Sequence, residues 1–206
     1  MALSKIQAES MNLADTYAFS GTVSGAGTKI LLRDITISSA TASVEFIHGS
    51  NNVILDTTYP RYELNAEKVV PATDNAHIEL FMSSNSGSSY YGDSAYNLMV
   101  SRRYTNSSDT ANDTAYYNDF IATSRQSSSS TAATGGLNAT VIITGMGAAN
   151  RTLAYSNFWG FGGSNYYIHT ISLGAYESNT VVMDAIKWAF ASGNIASGRF
   201  TLYGVK

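Results

Sequence analysis

The sequence predicts an all-β protein, an antiparallel β-sandwich or jelly-roll-like domain preceded by an extended N-terminal arm. Three observations predict this class. Apolar residues recur at every second position in many short segments, which is the period of a strand with one buried face. Turn-forming residues separate these segments, and outside the arm no amphipathic run of helical period exceeds about three turns. Only two prolines interrupt the chain, so β-ladders can form almost throughout.

Composition limits the size and the partners of the domain. The 206 residues suit one β-sandwich domain at 28–206 with a docking arm and linker at 1–27. Charged residues are only 13% of the chain, and the net charge of −3 argues against a nucleic-acid partner. Cysteine is absent, which excludes disulfides and thiolate metal sites. No apolar run has transmembrane length and residues 1–15 lack a signal-peptide core, so we expect no membrane insertion.

Residues 1–27 are expected to form an arm that packs on another chain. The stretch 4–13 is too short for a helix that is stable alone. Gly21, Gly25 and Gly27 make the following connector flexible. The apolar side chains of the arm have too few local partners to bury one another, and a frayed terminus is the alternative. These docking residues are Ile6, Met11, Leu13, Tyr17 and Phe19.

From residue 28 onward the pattern predicts eleven strands. The last two segments carry the strongest signal, because Ile186, Trp188 and Phe190 share one face at period two. Gly193 and Gly198 bracket the turn between them, so we expect this pair to close the sheet. The predicted strands are Lys29–Ile37, Ala42–Ile47, Thr58–Val70, His77–Ser83, Ser94–Thr105, Tyr116–Arg125, Asn138–Gly145, Thr152–Trp159, Asn165–Tyr176, Val181–Phe190 and Arg199–Lys206.

No residue set indicates a metal or cofactor site. The three histidines, His48, His77 and His169, are not spaced as zinc ligands, and we expect structural roles for them. Residues 109–113 offer several oxygen ligands, but the glycine and the terminal glutamate of a calcium loop are missing. We therefore expect a solvated loop there, and neither a metal nor a cofactor.

The carboxylates predict no catalytic residue. Those on predicted strands are expected to face solvent, and no nucleophile motif accompanies them. A glycosidase pair assembled in space from distant residues remains the alternative. The strand carboxylates are Glu45, Glu63, Glu67, Glu79 and Glu177.

Neighbouring aromatic residues supply the candidate contact surface. Adjacent residues on a strand point to opposite faces, so one ring of each pair can pack inside while the other faces outward. Outward Tyr and Trp suit sugar stacking or a protein interface, and simple cross-strand packing is the alternative. Glycines at 160, 162 and 163 let a partner approach closely. The residues predicted to form or flank an exposed contact surface are Phe158, Trp159, Phe161, Tyr166 and Tyr167.

Three segments of the chain resemble small virion structural proteins of tailed bacteriophages, of the tail-fibre, tail-tip or head-decoration type. The segments are the start (1–6 with 19–25), the middle (69–74) and the end (192–198 through 205). The resemblance implies a β-rich, non-enzymatic and homotrimeric protein, assembled in the host cytoplasm, whose N-terminal arm docks on the particle. It supplies no site residues.

Three functions follow as expectations. The favoured one is a tail-fibre or adhesin protein whose arm binds tail or baseplate subunits and whose sandwich contacts a host glycan or receptor. The alternative is a capsid decoration (cement) protein bound to the major capsid protein, which the copy number per virion would distinguish. A polysaccharide-degrading enzyme is the least favoured, because it needs clustered acids in a groove.

Overall fold

The computed structural model describes residues 28–92, 94–105, 110–124, 136–162 and 166–206. Every regular element in these ranges is a strand, and they contain no helix. The predicted docking arm, with Ile6, Met11, Leu13, Tyr17 and Phe19, lies outside the described residues, so its role stays a prediction.

The described strands form two antiparallel sheets, which confirms the all-β sandwich; jelly-roll connectivity stays a prediction. The larger sheet has eight strands in the order β1-β12-β3-β8-β9-β10-β5-β6, and the smaller has four in the order β2-β11-β4-β7. The strands are β1 (Lys29–Ile37), β2 (Ser43–Ile47), β3 (Arg61–Pro71), β4 (Ile78–Ser83), β5 (Tyr96–Thr105), β6 (Thr110–Tyr117), β7 (Ala122–Thr123), β8 (Gly136–Thr144), β9 (Leu153–Gly162), β10 (Tyr166–Tyr176), β11 (Ala185–Phe190) and β12 (Ile195–Val205).

The core lies between the two sheets and is centred on Trp188 of β11. The Trp188 ring contacts Phe158 of β9 at 6.1 Å and Phe200 of β12 at 6.0 Å between ring centroids. All three side chains are fully buried, and burying such a side chain contributes roughly 1.5–3 kcal/mol. The predicted inward face of the penultimate strand is therefore confirmed, and it joins the small sheet to the large one.

The last two strands do not pair with each other, so that prediction is wrong. β11 lies between β2 and β4 in the small sheet, whereas β12 lies between β1 and β3 in the large sheet. The connection crosses from one layer to the other, and the Asn194 carbonyl accepts a hydrogen bond from the Ala72 N–H at 2.8 Å. Gly193 makes this crossing with φ of 73°, a conformation that favours glycine.

The predicted strand Tyr116–Arg125 is two strands in different sheets. β6 ends at Tyr117 at the edge of the large sheet, and β7 pairs with β4 in the small sheet. Between them the chain passes directly over Gly174, where any side chain would collide with the Ile121 carbonyl. The Thr170 hydroxyl donates to the Ser124 carbonyl at 3.0 Å and fixes the crossing. The expected loop at 109–113 is also corrected, because β6 begins at Thr110.

Candidate functional site

The outer face of the large sheet, which points away from the core, carries most of the exposed apolar surface. Among the described residues ten large hydrophobic side chains are exposed, and all but Val182 lie on this face. They come from β1, β5, β6, β9 and β10. Eight of the nine lie on the neighbouring strands β9, β10, β5 and β6, and contiguous apolar surface of this kind marks interaction sites in soluble proteins. The nine residues are Leu31, Met99, Tyr116, Leu153, Tyr155, Trp159, Phe161, Tyr167 and Leu173.

Three of these side chains, Trp159, Phe161 and Tyr167, form what we call the aromatic cluster. Tyr167 on β10 stands opposite Phe161 on β9, and their ring centroids are 4.5 Å apart at an angle of 46°. Trp159 lies on β9 two residues before Phe161, and its side chain is 43% exposed. The cluster exists because outward positions on neighbouring antiparallel strands come side by side.

One residue of the predicted contact surface lies in the core, and the side chain of another is outside the described part of the structure. Phe158 is fully buried against Trp188, so including it in the contact surface was wrong. The reason is the strand period: if Trp159 faces outward, its neighbour must face the core. Tyr166 begins β10, but its side chain lies outside the described part of the structure.

An open cleft of about 480 Å³ adjoins the aromatic cluster, within the range of small-ligand sites. Lys68, Gly136 and Asn138 line it together with the three aromatic rings. The Asn138 amide oxygen accepts a hydrogen bond from the Lys68 N–H at 2.9 Å. This bond holds the irregularity where β3 leaves its register with β8, between Ala66 and Val69. The wall of the cleft is thus built from backbone and a fixed amide.

The three histidines each have a separate hydrogen-bond partner. His169 stands opposite Trp159, and its Nε2 lies 2.8 Å from the Asn157 side-chain oxygen. His48 Nδ1 accepts a hydrogen bond from the backbone N–H of Leu55 at 3.0 Å. His77 Nε2 lies 2.9 Å from a Glu79 oxygen. Within the described ranges no group of three or more potential ligands could hold a metal ion.

One group of charged side chains on the outer face lies on β1, β12 and β3. Arg199 donates to Asp34 at 2.7 and 3.0 Å and to Glu67 at 3.4 Å. These hydrogen bonds from Arg199 hold the pKa of Asp34 below its usual value. Lys29 donates to Glu63 at 2.5 Å.

Two of the carboxylates expected to face solvent are largely covered. The side chains of Glu63 and Glu79 are only 22% and 13% exposed. The Glu63 carboxylate contacts Lys29 and the Glu79 carboxylate contacts His77. Each contact replaces hydrogen bonds to water that the carboxylate loses on burial.

A second surface on the outer face was not predicted from the sequence. In three consecutive cross-strand rows over β8, β9, β10, β5 and β6, fourteen outward positions carry no charged residue. The middle row runs from Ile142 through Tyr155, Leu173 and Met99 to Tyr116. We call this set the uncharged patch. Its members are Asn97, Met99, Ser101, Thr114, Tyr116, Thr140, Ile142, Thr144, Leu153, Tyr155, Asn157, Ile171, Leu173 and Ala175.

Comparison with known proteins gives no relative for this chain. No family model matches it, and neither a curated protein nor a solved structure is significantly similar to it. The described part of the structure contains no helix that is long and apolar enough to span a bilayer.

Proposed function

We propose that this protein is a non-enzymatic attachment protein of the tail-fibre or adhesin kind, which binds a surface glycan through the aromatic cluster. The observation that carries the proposal is the exposed group of Trp159, Phe161 and Tyr167 beside an open cleft. Aromatic side chains are normally buried in the core, so three exposed rings side by side on one pair of strands are typical of a binding surface.

The chemistry of the site matches that of a saccharide. A sugar ring has an apolar C–H face, which can stack on an indole or phenol ring, and hydroxyls at its edge, which need hydrogen-bond partners. Asn138 and His169 stand on either side of Trp159 in the sheet, and Lys68 lines the same cleft. Tyr and Trp also give large contact area for little loss of side-chain entropy.

The setting in a virion is supported by the sequence resemblance at both ends of the chain. In this proposal the arm binds tail or baseplate subunits, and the outer face of the sandwich is turned to the host. The described strands begin at Lys29, so the proposal predicts that removal of residues 1–24 leaves a folded domain that no longer joins the particle. The resemblance also implies a homotrimer, which stays a separate prediction; the mass of the full chain in solution distinguishes a trimer from a dimer.

A capsid decoration protein is the second candidate, and the uncharged patch favours it. A broad face without charge suits contact between protein copies better than contact with a hydrated glycan, and a decoration protein is present in many copies. Counting copies per purified virion separates the two, because a decoration protein is present at far higher number than a tail component.

The test of glycan binding compares two outward aromatic residues. A panel of bacterial surface polysaccharides is titrated into the wild-type protein, Trp159→Ala, and the matched variant Tyr116→Ala outside the cluster. We expect Trp159→Ala to weaken binding by about 2 kcal/mol and Tyr116→Ala to leave it unchanged. No binding to any polysaccharide, or equal effects of both variants, would refute the proposal. Release of reducing ends that a single acid-to-amide change abolishes would instead establish an enzyme.

A further inference from the structure

We propose that the uncharged patch is an interface at which a second copy of this chain packs face to face. The patch lies at the centre of five neighbouring strands and has charged residues only at its margin. Glu63 adjoins Ile142 on one side, and Arg103 and Glu177 follow the ends of the outward rows on β5 and β10. An uncharged centre with a charged rim is the usual anatomy of a protein–protein interface.

The exposed area is sufficient for a specific contact. Five large apolar side chains of the patch, at 40–78% exposure, offer roughly 100 Å² each. The resulting 500 Å², roughly, lies at the upper end of patches found on monomers. The other nine positions bring the patch near the roughly 800 Å² that each partner buries in a standard interface. The five side chains are Met99, Tyr116, Leu153, Tyr155 and Leu173.

The patch is also complementary to itself. β10 is its central strand, with β9 and β8 on one side and β5 and β6 on the other. A two-fold axis that passes beside Leu173 brings this side chain against its own copy. Ile142 lines a shallow cavity of about 370 Å³, together with Leu153, Leu173 and Ala175. Tyr116 is 78% exposed, so the same patch carries a protruding ring and a cavity to receive it.

The absence of charge selects a second copy as the occupant. A face that meets its own copy across a two-fold axis brings each charge close to an identical charge, which is unfavourable. The fourteen positions of the patch avoid this conflict completely. A partner of different sequence would gain from charges of opposite sign, and the patch offers none.

The first test measures the mass of the full chain in solution at micromolar concentration. The wild-type protein is expected at twice the 22.0 kDa of one chain. Leu173→Lys and Leu173→Glu, each alone, are expected to be monomeric, with self-association weakened more than ~100-fold by the buried like charges. An equimolar mixture of the two variants is expected to dimerise again, because opposite charges then meet at the axis. Leu31→Lys is the matched control, since Leu31 is equally exposed on the same face but outside the patch, and it should remain dimeric.

Further variants keep the proposal testable if a charge at 173 prevents folding. Ser101→Lys introduces a charge at an exposed polar position of the patch and should also give monomers. Tyr116→Ala should weaken the dimer at least ~10-fold, whereas Tyr167→Ala in the aromatic cluster should not. A wild-type monomer at ~100 μM, a mixture of Leu173 variants that stays monomeric, or a trimer that Leu173→Lys leaves intact would each overturn the proposal.

Discussion

The aromatic cluster and the uncharged patch occupy one face of one sheet, yet they offer different chemistry. The cluster joins three rings to a cleft of about 480 Å³ that includes Lys68 and a fixed amide. The patch is broad and shallow, and its cavity of about 370 Å³ has an almost wholly apolar lining. Small polar ligands need convergent hydrogen-bonding groups. A protein partner with a flat surface needs a large contact area in which no charge is buried without a partner. The comparison teaches that strand register alone can divide one sheet face into two surfaces of different chemistry.

The largest expected effect contrasts the two faces of β9. Phe158→Ala removes a fully buried ring that packs on Trp188, and should lower the free energy of unfolding by about 3–5 kcal/mol. Trp159→Ala, one residue along, should change it by less than about 0.5 kcal/mol. Urea denaturation of both variants gives the comparison. An equal loss of unfolding free energy in both variants would mean that Trp159 packs in the core, and would contradict the aromatic cluster as a binding surface.

The next effect concerns the support behind the uncharged patch. Gly174 lies between the outward Leu173 and Ala175, and its inner side touches the Ile121 carbonyl. Gly174→Ala should therefore cost about 1–3 kcal/mol of stability through overpacking, and it should also distort the patch. Ala175→Ser, on the outward side, is the control and should be nearly neutral. Thermal unfolding measures both, and a neutral Gly174→Ala would contradict the close crossing of residues 118–124 over β10.

A smaller effect is expected within the aromatic cluster itself. Tyr167→Ala removes one ring of the pair with Phe161 and should weaken glycan binding by about 0.5–1.5 kcal/mol. Self-association should not change, because Tyr167 lies outside the uncharged patch. Binding titrations and mass measurements on the same variant check both halves of this expectation. A loss of self-association would mean that the two surfaces are one.

The smallest effect is expected for the ion pair between Arg199 and Asp34. The hydrogen bond from Arg199 holds the pKa of Asp34 below its ordinary value of 3.8, so the unfolded state takes up its proton at higher pH than the folded state. The stabilisation is therefore present above pH 3.8 and is lost as the pH falls through the lowered pKa. Asp34→Asn should be slightly less stable than wild type at neutral pH and equally stable in strong acid. Both surfaces should keep their binding, since neither includes Asp34.

The sequence predicted individual strands well, because alternation is a local property. The bounds of β1 were predicted without error, and the inward face of Trp188 is confirmed. Pairing is not local, so the chain could not reveal that β11 and β12 join different sheets, or that the chain changes sheets between β6 and β7. The strand period predicts that one ring of the Phe158–Trp159 pair faces outward. Which of the two rings does so depends on the packing of the core, which the sequence does not show. The uncharged patch needs the register of four strand pairings, and no single segment shows it.

The most direct test of the two-surface account uses the two tryptophans of the chain as reporters. Trp188 is fully buried and Trp159 is 43% exposed, so acrylamide quenches the fluorescence of Trp159 selectively. A polysaccharide that the wild-type protein binds should protect this quenchable fraction at saturation. The same protection is predicted in Leu173→Lys, whose uncharged patch is disabled. Unchanged quenching at saturation, or protection that disappears in Leu173→Lys, would contradict the account.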